Sequence, residues 1–103
     1  MTNANTVLDA LADPTRRRIF ELVAEGPVPV GVLAQRLPVT RPAVSQHLRV
    51  LRDAGLVRDR PQGTRRLYVI DPDGLEVARA YFDDFWRRSL LAFKHAAERS
   101  STQ

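Results

Sequence analysis

Cysteine is absent from all 103 residues, which excludes disulfides, thiolate metal sites, thiol redox switches and cysteine nucleophiles. Histidine is nearly as scarce, at His47 and His95 only, and no Gly-rich phosphate loop or nucleophile–base pairing accompanies them. An enzyme is therefore not expected, nor any cofactor. No apolar run approaches the ~20 residues of a membrane span. The opening MTNANTVLDA has neither the basic start nor the apolar stretch of a secretion signal. A cytoplasmic protein without membrane contact is expected. Lysine is also nearly missing, Lys94 being the only one, so arginine carries the positive charge.

What is present fits one domain over residues 1–103, with enough chain to bury roughly two-thirds of its unfolded surface without a staple. The formal charge of +4 is unevenly spread. Residues 1–39 balance four arginines against four acids. Residues 40–70 set Arg41, Arg49, Arg52, Arg58, Arg60, Arg65 and Arg66 against Asp53 and Asp59 alone, a net +5. Residues 71–103 carry five bases and six acids. Such clustering favours a polyanionic partner over an ordinary solvated face.

Local signals predict a mainly helical chain with a small β-hairpin, an α+β arrangement. Thr6 to Leu11 is a short helix with Val7, Leu8 and Leu11 on one side. Asp13-Pro14 caps and opens a second helix running to Ala24, with Ile19, Leu22 and Val23 inward and Gly26 ending it. The Arg16-Arg17-Arg18 run lies at the positive end of that helix, where cations gain nothing, so a solvated run is expected rather than phosphate contact. Pro27 and Pro29 make an extended connection. Val30 to Leu37 forms two turns burying Val30, Leu33 and Leu37, and Pro38-Val39 turns the chain. Thr40 then caps a helix over 40–54, in which Val44, Leu48 and Leu51 repeat at i, i+4, i+7 as a buried stripe. Gly55 supplies its left-handed stop. Leu56–Gln62 and Thr64–Ile70 read as strands joined at Gln62-Gly63, a hairpin over about 56–70. Asp71-Pro72-Asp73-Gly74 leads into a last helix over about 74–99, and SSTQ is a frayed tail.

With Val44, Leu48 and Leu51 inward, the 40–54 helix presents Arg41, Ser45 and Arg49, flanked by Gln46. Short polar side chains beside arginine suit a DNA major groove: Gln pairs bidentately with adenine, Arg with guanine, and Ser or Thr reaches bases or phosphates. Gln46 and Arg41 are the expected base readers, and Thr40 is expected to cap the helix and touch a phosphate. Ala43 is small enough to meet a thymine methyl, although helix propensity alone explains it. His47 lies between the buried stripe and the polar face, so a half-buried structural role and DNA contact both stay open. At the hairpin tip Arg60, Gln62, Gly63, Thr64, Arg65 and Arg66 cluster, where a basic turn can reach flanking backbone or minor groove.

The run VLAQRL…VTRPAVSQHLRVLRDAGLV, followed by RDRPQGTRRLYVI and opened by LADPTRRRIFELV, resembles the ArsR-type winged helix-turn-helix regulators over about residues 7–73. The resemblance implies a winged helix-turn-helix fold with N- and C-terminal dimerisation helices. It also implies a bacterial homodimeric repressor that inserts Thr40–Arg49 into the major groove of double-stranded DNA. Many members of the family release DNA on binding metal, but the family's ligand positions are not filled here. The cysteine pair of one site falls on Pro29 and Gly31. The four ligands of a second site fall on Asp73, Leu75, Trp86 and Ser89, of which only the aspartate can ligate. His95 and Glu98 repeat the tail of that second pattern nine residues too late. The chain is thus similar to the cysteine-free, metal-independent members, several of which repress their own or neighbouring genes.

The last helix carries Leu75, Ala78, Phe82 and Phe85 at 3–4 spacing beside a second stripe of Trp86, Leu90, Phe93 and Ala97. Two adjoining stripes predict contact with its own core and with a second subunit. Val7, Leu8, Leu11, Tyr81, Phe82, Phe85, Trp86, Leu90 and Phe93 form the expected dimer interface. A larger monomeric core is the alternative. For function, the alternatives are a winged-helix module that binds protein instead of DNA, and a repressor gated by a small apolar ligand between the final helices. No effector is identifiable.

Overall fold

The computed structural model describes residues 2–101. Thr102 and Gln103, half of the tail expected to fray, lie outside the described residues, whereas Ser100 and Ser101 continue the last helix. The chain runs α1 (Ala4–Ala12), α2 (Pro14–Ala24), β1 (Val28–Pro29), α3 (Val30–Arg36), α4 (Arg41–Asp53), β2 (Val57–Gln62), β3 (Arg65–Ile70) and α5 (Pro72–Ser101). The strands form one antiparallel sheet ordered β1-β3-β2. This is a winged helix-turn-helix, with α3 and α4 as the helix pair and β2–β3 as the wing.

Side-chain caps set most of the helix starts. Asn3 accepts from the Thr6 N–H at 3.0 Å, so α1 begins two residues before the expected Thr6. Asp13 ends α1 and caps α2 by accepting from the Arg16 N–H at 3.0 Å, with Pro14 in the first turn. Thr40 does the same for α4 through the Ala43 N–H at 3.2 Å. The Arg16–Arg18 run divides. Arg18 sits on the surface near Glu21, while Arg16 and Arg17 turn back to donate to the Ala10 and Leu11 carbonyls at 3.3 and 3.1 Å. Those carbonyls are the unpaired acceptors at the negative end of α1, which a guanidinium satisfies both as donor and as charge.

The Asp13 carboxyl is held below its ordinary value, first by the Arg16 N–H, then by the charges of His47 and Arg16, against partial desolvation. A carboxylate depressed on folding contributes stability that is fully present above its unfolded value, 3.8, and is lost as pH falls through its folded value. Asp13→Asn is therefore expected to lower the neutral plateau of the thermal-stability profile and to flatten its acid limb below about pH 4. A limb as steep as in the parent would assign the acid sensitivity to other carboxylates.

Helix α4 ends in a Schellman motif. Gly55, at φ +77°, donates to the Arg52 carbonyl at 3.0 Å, and Leu56 donates to the Leu51 carbonyl at 2.9 Å. Leu51 and Leu56, the apolar pair that accompanies this geometry, are both fully buried. The motif then anchors α5: Gly74 donates to the Gly55 carbonyl at 2.8 Å and Asp71 to that of Leu56 at 3.0 Å. A Cβ on Gly74 would stand 2.5 Å from the Gly55 oxygen, so only glycine permits this approach. The start of α5 is thus strapped to the end of α4.

The core gathers Ile19, Leu22 and Val23 of α2, Leu33 of α3, and Val44, Leu48 and Leu51 of α4, together with Leu56 and Val57. Val7 belongs to it as well. Expected at a dimer interface, its side chain is instead fully buried in the chain's own core, because α1 turns that face onto α2 and α5. Leu8 and Leu11 on the same helix stay partly exposed.

Three further expectations needed correction. The Pro27–Pro29 connection includes a short strand, in which Val28 and Pro29 pair with Tyr68 and Leu67. Proline is tolerated there because β1 is an edge strand. The hairpin turn is Gly63-Thr64, one residue later than the expected Gln62-Gly63, since Gln62 still pairs with Arg65. Gly63 alone has positive φ, +61°, which matches a type II′ turn and excludes type I′. Helix α5, finally, packs apolar side chains on its own core through Val77 and Ala78 near its start, and every residue from Arg79 to Ser101 is exposed. Phe82 and Phe85, expected to share core and interface, are 53% and 51% exposed, and Leu75 is 41%. The projecting helix explains a radius of gyration of 18.4 Å, against about 13 Å for a compact chain of this length. Among the described residues no helix is long and apolar enough to cross a membrane.

Candidate nucleic-acid interface

Burial of Val44, Leu48 and Leu51 fixes which way α4 faces. Thr40, Arg41, Ser45, Gln46 and Arg49 are exposed on it, while Ala43 and His47 are partly buried at the margins. The charge of His47 is among the lesser causes that lower the Asp13 carboxyl, so its side chain lies near the start of α2. Arg60, Gln62, Gly63, Thr64, Arg65 and Arg66 are all exposed on the wing.

The wing's two faces are not equivalent. Cross-strand register and alternation put Arg58, Arg60, Gln62 and Arg65 on one face. Asp59, Pro61, Arg66 and Tyr68 lie on the other. Arg66 is thereby separated from the rest of its cluster: its Nη1 pairs with Asp59 Oδ2 at 2.6 Å, a diagonal cross-strand contact. Arg58 takes its place beside Arg60. It was missed in the sequence because it lies away from the hairpin tip, although the Arg-x-Arg-x-Gln alternation over 58–62 is legible there.

Ion pairs are spread unevenly over the chain, and among the described residues Arg16, Arg17, Arg87 and Lys94 also lack an acidic partner. Arg18, Arg36, Arg79 and Arg88 pair with Glu21, Glu25, Asp83 and Asp84 at 3.1–3.7 Å. Within residues 40–70 only Arg52 and Arg66 have an acidic partner. Arg41, Arg49, Arg58, Arg60 and Arg65 have none among the described residues. Unpaired like charges on neighbouring elements repel one another, a cost that an anionic partner reverses.

Arg41 departs from its expected line. Spacing aligns it with Ser45 and Arg49, yet its Nη1 lies 3.8 Å from where a Cβ on Gly31 would stand. Side chains on a helix lean toward its N-terminus, and Arg41 is the first residue of α4, so the long guanidinium arm folds back over α3. The structure therefore brings Ser45, Gln46 and Arg49 together on the open face of α4 and carries the Arg41 guanidinium off it.

Comparison with known proteins agrees with this fold. The family described as a helix-turn-helix domain matches residues 11–60. An HTH-type transcriptional regulator of Mycobacterium tuberculosis is 60% identical over 84 residues, covering 82% of this chain and 78% of the relative. Among solved structures, an ArsR-like transcriptional regulator from Rhodococcus sp. RHA1 superposes with a TM-score of 0.74 at 33% identity, covering 91% of this chain and 92% of that one. The homodimeric winged helix-turn-helix DNA-binding domain of a possible ArsR-family regulator from Mycobacterium bovis gives 0.64 at 33% identity, covering 88% and 79%. With this helix pair and wing and these relatives, the chain belongs to the ArsR family of helix-turn-helix transcriptional regulators.

Proposed function

We propose that the protein is a homodimeric repressor that occupies an inverted-repeat operator in double-stranded DNA. One observation carries the reading: within residues 40–70, Arg41, Arg49, Arg58, Arg60 and Arg65 are exposed without an acidic partner among the described residues, on the same helix and wing that expose Ser45 and Gln46. Gln46 reads a base edge, Ser45 and Arg49 support it, and Thr40 at the helix start meets backbone. Arg58, Arg60 and Arg65 anchor the wing on flanking phosphates.

The apolar stripe on α5 supports pairing of two copies, as does the homodimeric relative. Two-fold pairing would hold two α4 helices roughly 34 Å apart, one turn of DNA, so that repression follows from occupancy of the promoter. Release does not use the family's metal positions, since Pro29, Gly31, Leu75, Trp86 and Ser89 offer no first-choice metal donor.

Selection from random DNA followed by salt titration tests the reading. The expected product is a two-fold symmetric sequence bound with a steep salt dependence. Gln46→Ala is expected to relax preference at one or two base positions and cost ~1–3 kcal/mol at the preferred site. Arg65→Ala should weaken binding to every sequence and lower the salt slope by about one. A monomer on a single asymmetric half-site would defeat the dimeric reading. Salt-insensitive binding without sequence preference would favour a protein-interaction module instead.

A further inference from the structure

The start of α3, the start of α4 and the tip of the wing enclose a groove of about 330 Å³. Its floor is Pro29 and Val30. Arg41 enters from α4, and Thr64, Arg65, Arg66 and Tyr68 enter from the wing. Of its three arginines only Arg66 has an acidic partner, Asp59, so Arg41 from α4 and Arg65 from the wing line the same groove without one among the described residues. The groove explains where the arm of Arg41 goes when it leaves the line of Ser45 and Arg49. What suits such a site is a single negative charge with several acceptor oxygens, met by guanidinium donors and a threonine hydroxyl.

We propose that this groove seats one backbone phosphodiester of the bound DNA, held by Arg41 on the helix side and by Arg65 with Thr64 on the wing side. Arg41 is then a positioning residue and not a base reader. This rests on the DNA-binding reading above and refines it. Because a single phosphate joins helix and wing, Arg41 and Arg65 act as a unit and fix the angle at which α4 meets the groove.

The test uses the full chain and its selected DNA, with single phosphates replaced in turn by neutral methylphosphonate. The parent protein is expected to lose roughly 10- to 100-fold in affinity at one phosphate of each half-site, the range for a charge-assisted bond. Arg41→Ala should show a comparable loss on unmodified DNA and little further loss when that phosphate is neutral. Its losses with Arg65→Ala should be less than additive. Base preferences selected by Arg41→Ala should match the parent, while its salt slope falls by about one. Arg41 is exposed, and an unchanged circular dichroism spectrum checks that the variant folds. Relaxed preference at a defined base, with every methylphosphonate penalty unchanged, would make Arg41 a base reader and overturn the proposal while leaving DNA binding intact. A parent protein that selects no sequence and binds without salt dependence would overturn both readings.

Discussion

Leu48→Ala is expected to destabilise the protein by about 2–5 kcal/mol, the range for truncating a buried leucine. Leu48 is fully buried midway along the stripe of α4, so the lost methyl groups leave a cavity between the reading helix and the rest of the core. The effect is large for this chain in particular. Domains of this size are stable by only about 5–15 kcal/mol. Here α5 adds only Val77 and Ala78 to the apolar packing of the core among the described residues. Thermal melting should show a fall on the order of 10–30 °C, from a few degrees per kcal/mol. In urea the midpoint should drop with little change in slope. Ser45→Ala, on the exposed face of the same helix, should change stability by less than about 0.5 kcal/mol while altering DNA affinity. A Leu48→Ala variant as stable as the parent would mean that α4 is not held by this stripe.

Phe93→Glu should have the opposite pattern, leaving the subunit folded and the dimer broken. Phe93 is 72% exposed on the projecting part of α5, and Trp86, about two turns earlier on the same face, is 67% exposed. Nothing in the subunit's own fold depends on either. In the proposed dimer this stripe is covered, and a carboxylate placed there is buried without a partner, at a cost of about 3–5 kcal/mol. Sedimentation should show a monomer at concentrations where the parent is a dimer. Affinity for two-half-site DNA should fall roughly 100-fold or more, while weak binding to one half-site persists. Leu91→Glu is the control: Leu91 is 49% exposed but lies about 200° around the helix from Phe93, off the stripe. A dimer that survives Phe93→Glu, or is lost equally with Leu91→Glu, would place the subunit contact elsewhere.

The elements most legible in the sequence are those specified by near neighbours. Asp13-Pro14, Thr40 and Gly55 announce helix ends because capping bonds span three or four residues. Val44, Leu48 and Leu51 announce the buried face of α4 because their spacing is that of the helix itself. Less legible were features that depend on where a second element lies. Val7, Leu8 and Leu11 make α1 apolar on one side, but only its docking on α2 and α5 decides that Val7 is interior and the other two are partly exposed. Thr64 is a good strand residue, yet it sits in the turn because cross-strand register pairs Gln62 with Arg65.

The candidate site divides in the same way. By itself the sequence determined the excess of arginine over residues 40–70 and the polar face of α4, which follow from composition and from the period of a single element. The winged helix-turn-helix was implied by the resemblance of its motifs to a known family. Only the tertiary structure decided which arginines remain unpaired, because Arg66 meets Asp59 across a strand pair while Arg58, Arg60 and Arg65 do not. It also decided that Arg41 leaves the line of Ser45 and Arg49 for the groove beside the wing, and that α5 leaves its own core after Ala78. The physical reason is common to all three. A charge or an apolar face is a property of the residue, but its partner is supplied by another part of the chain or by another molecule.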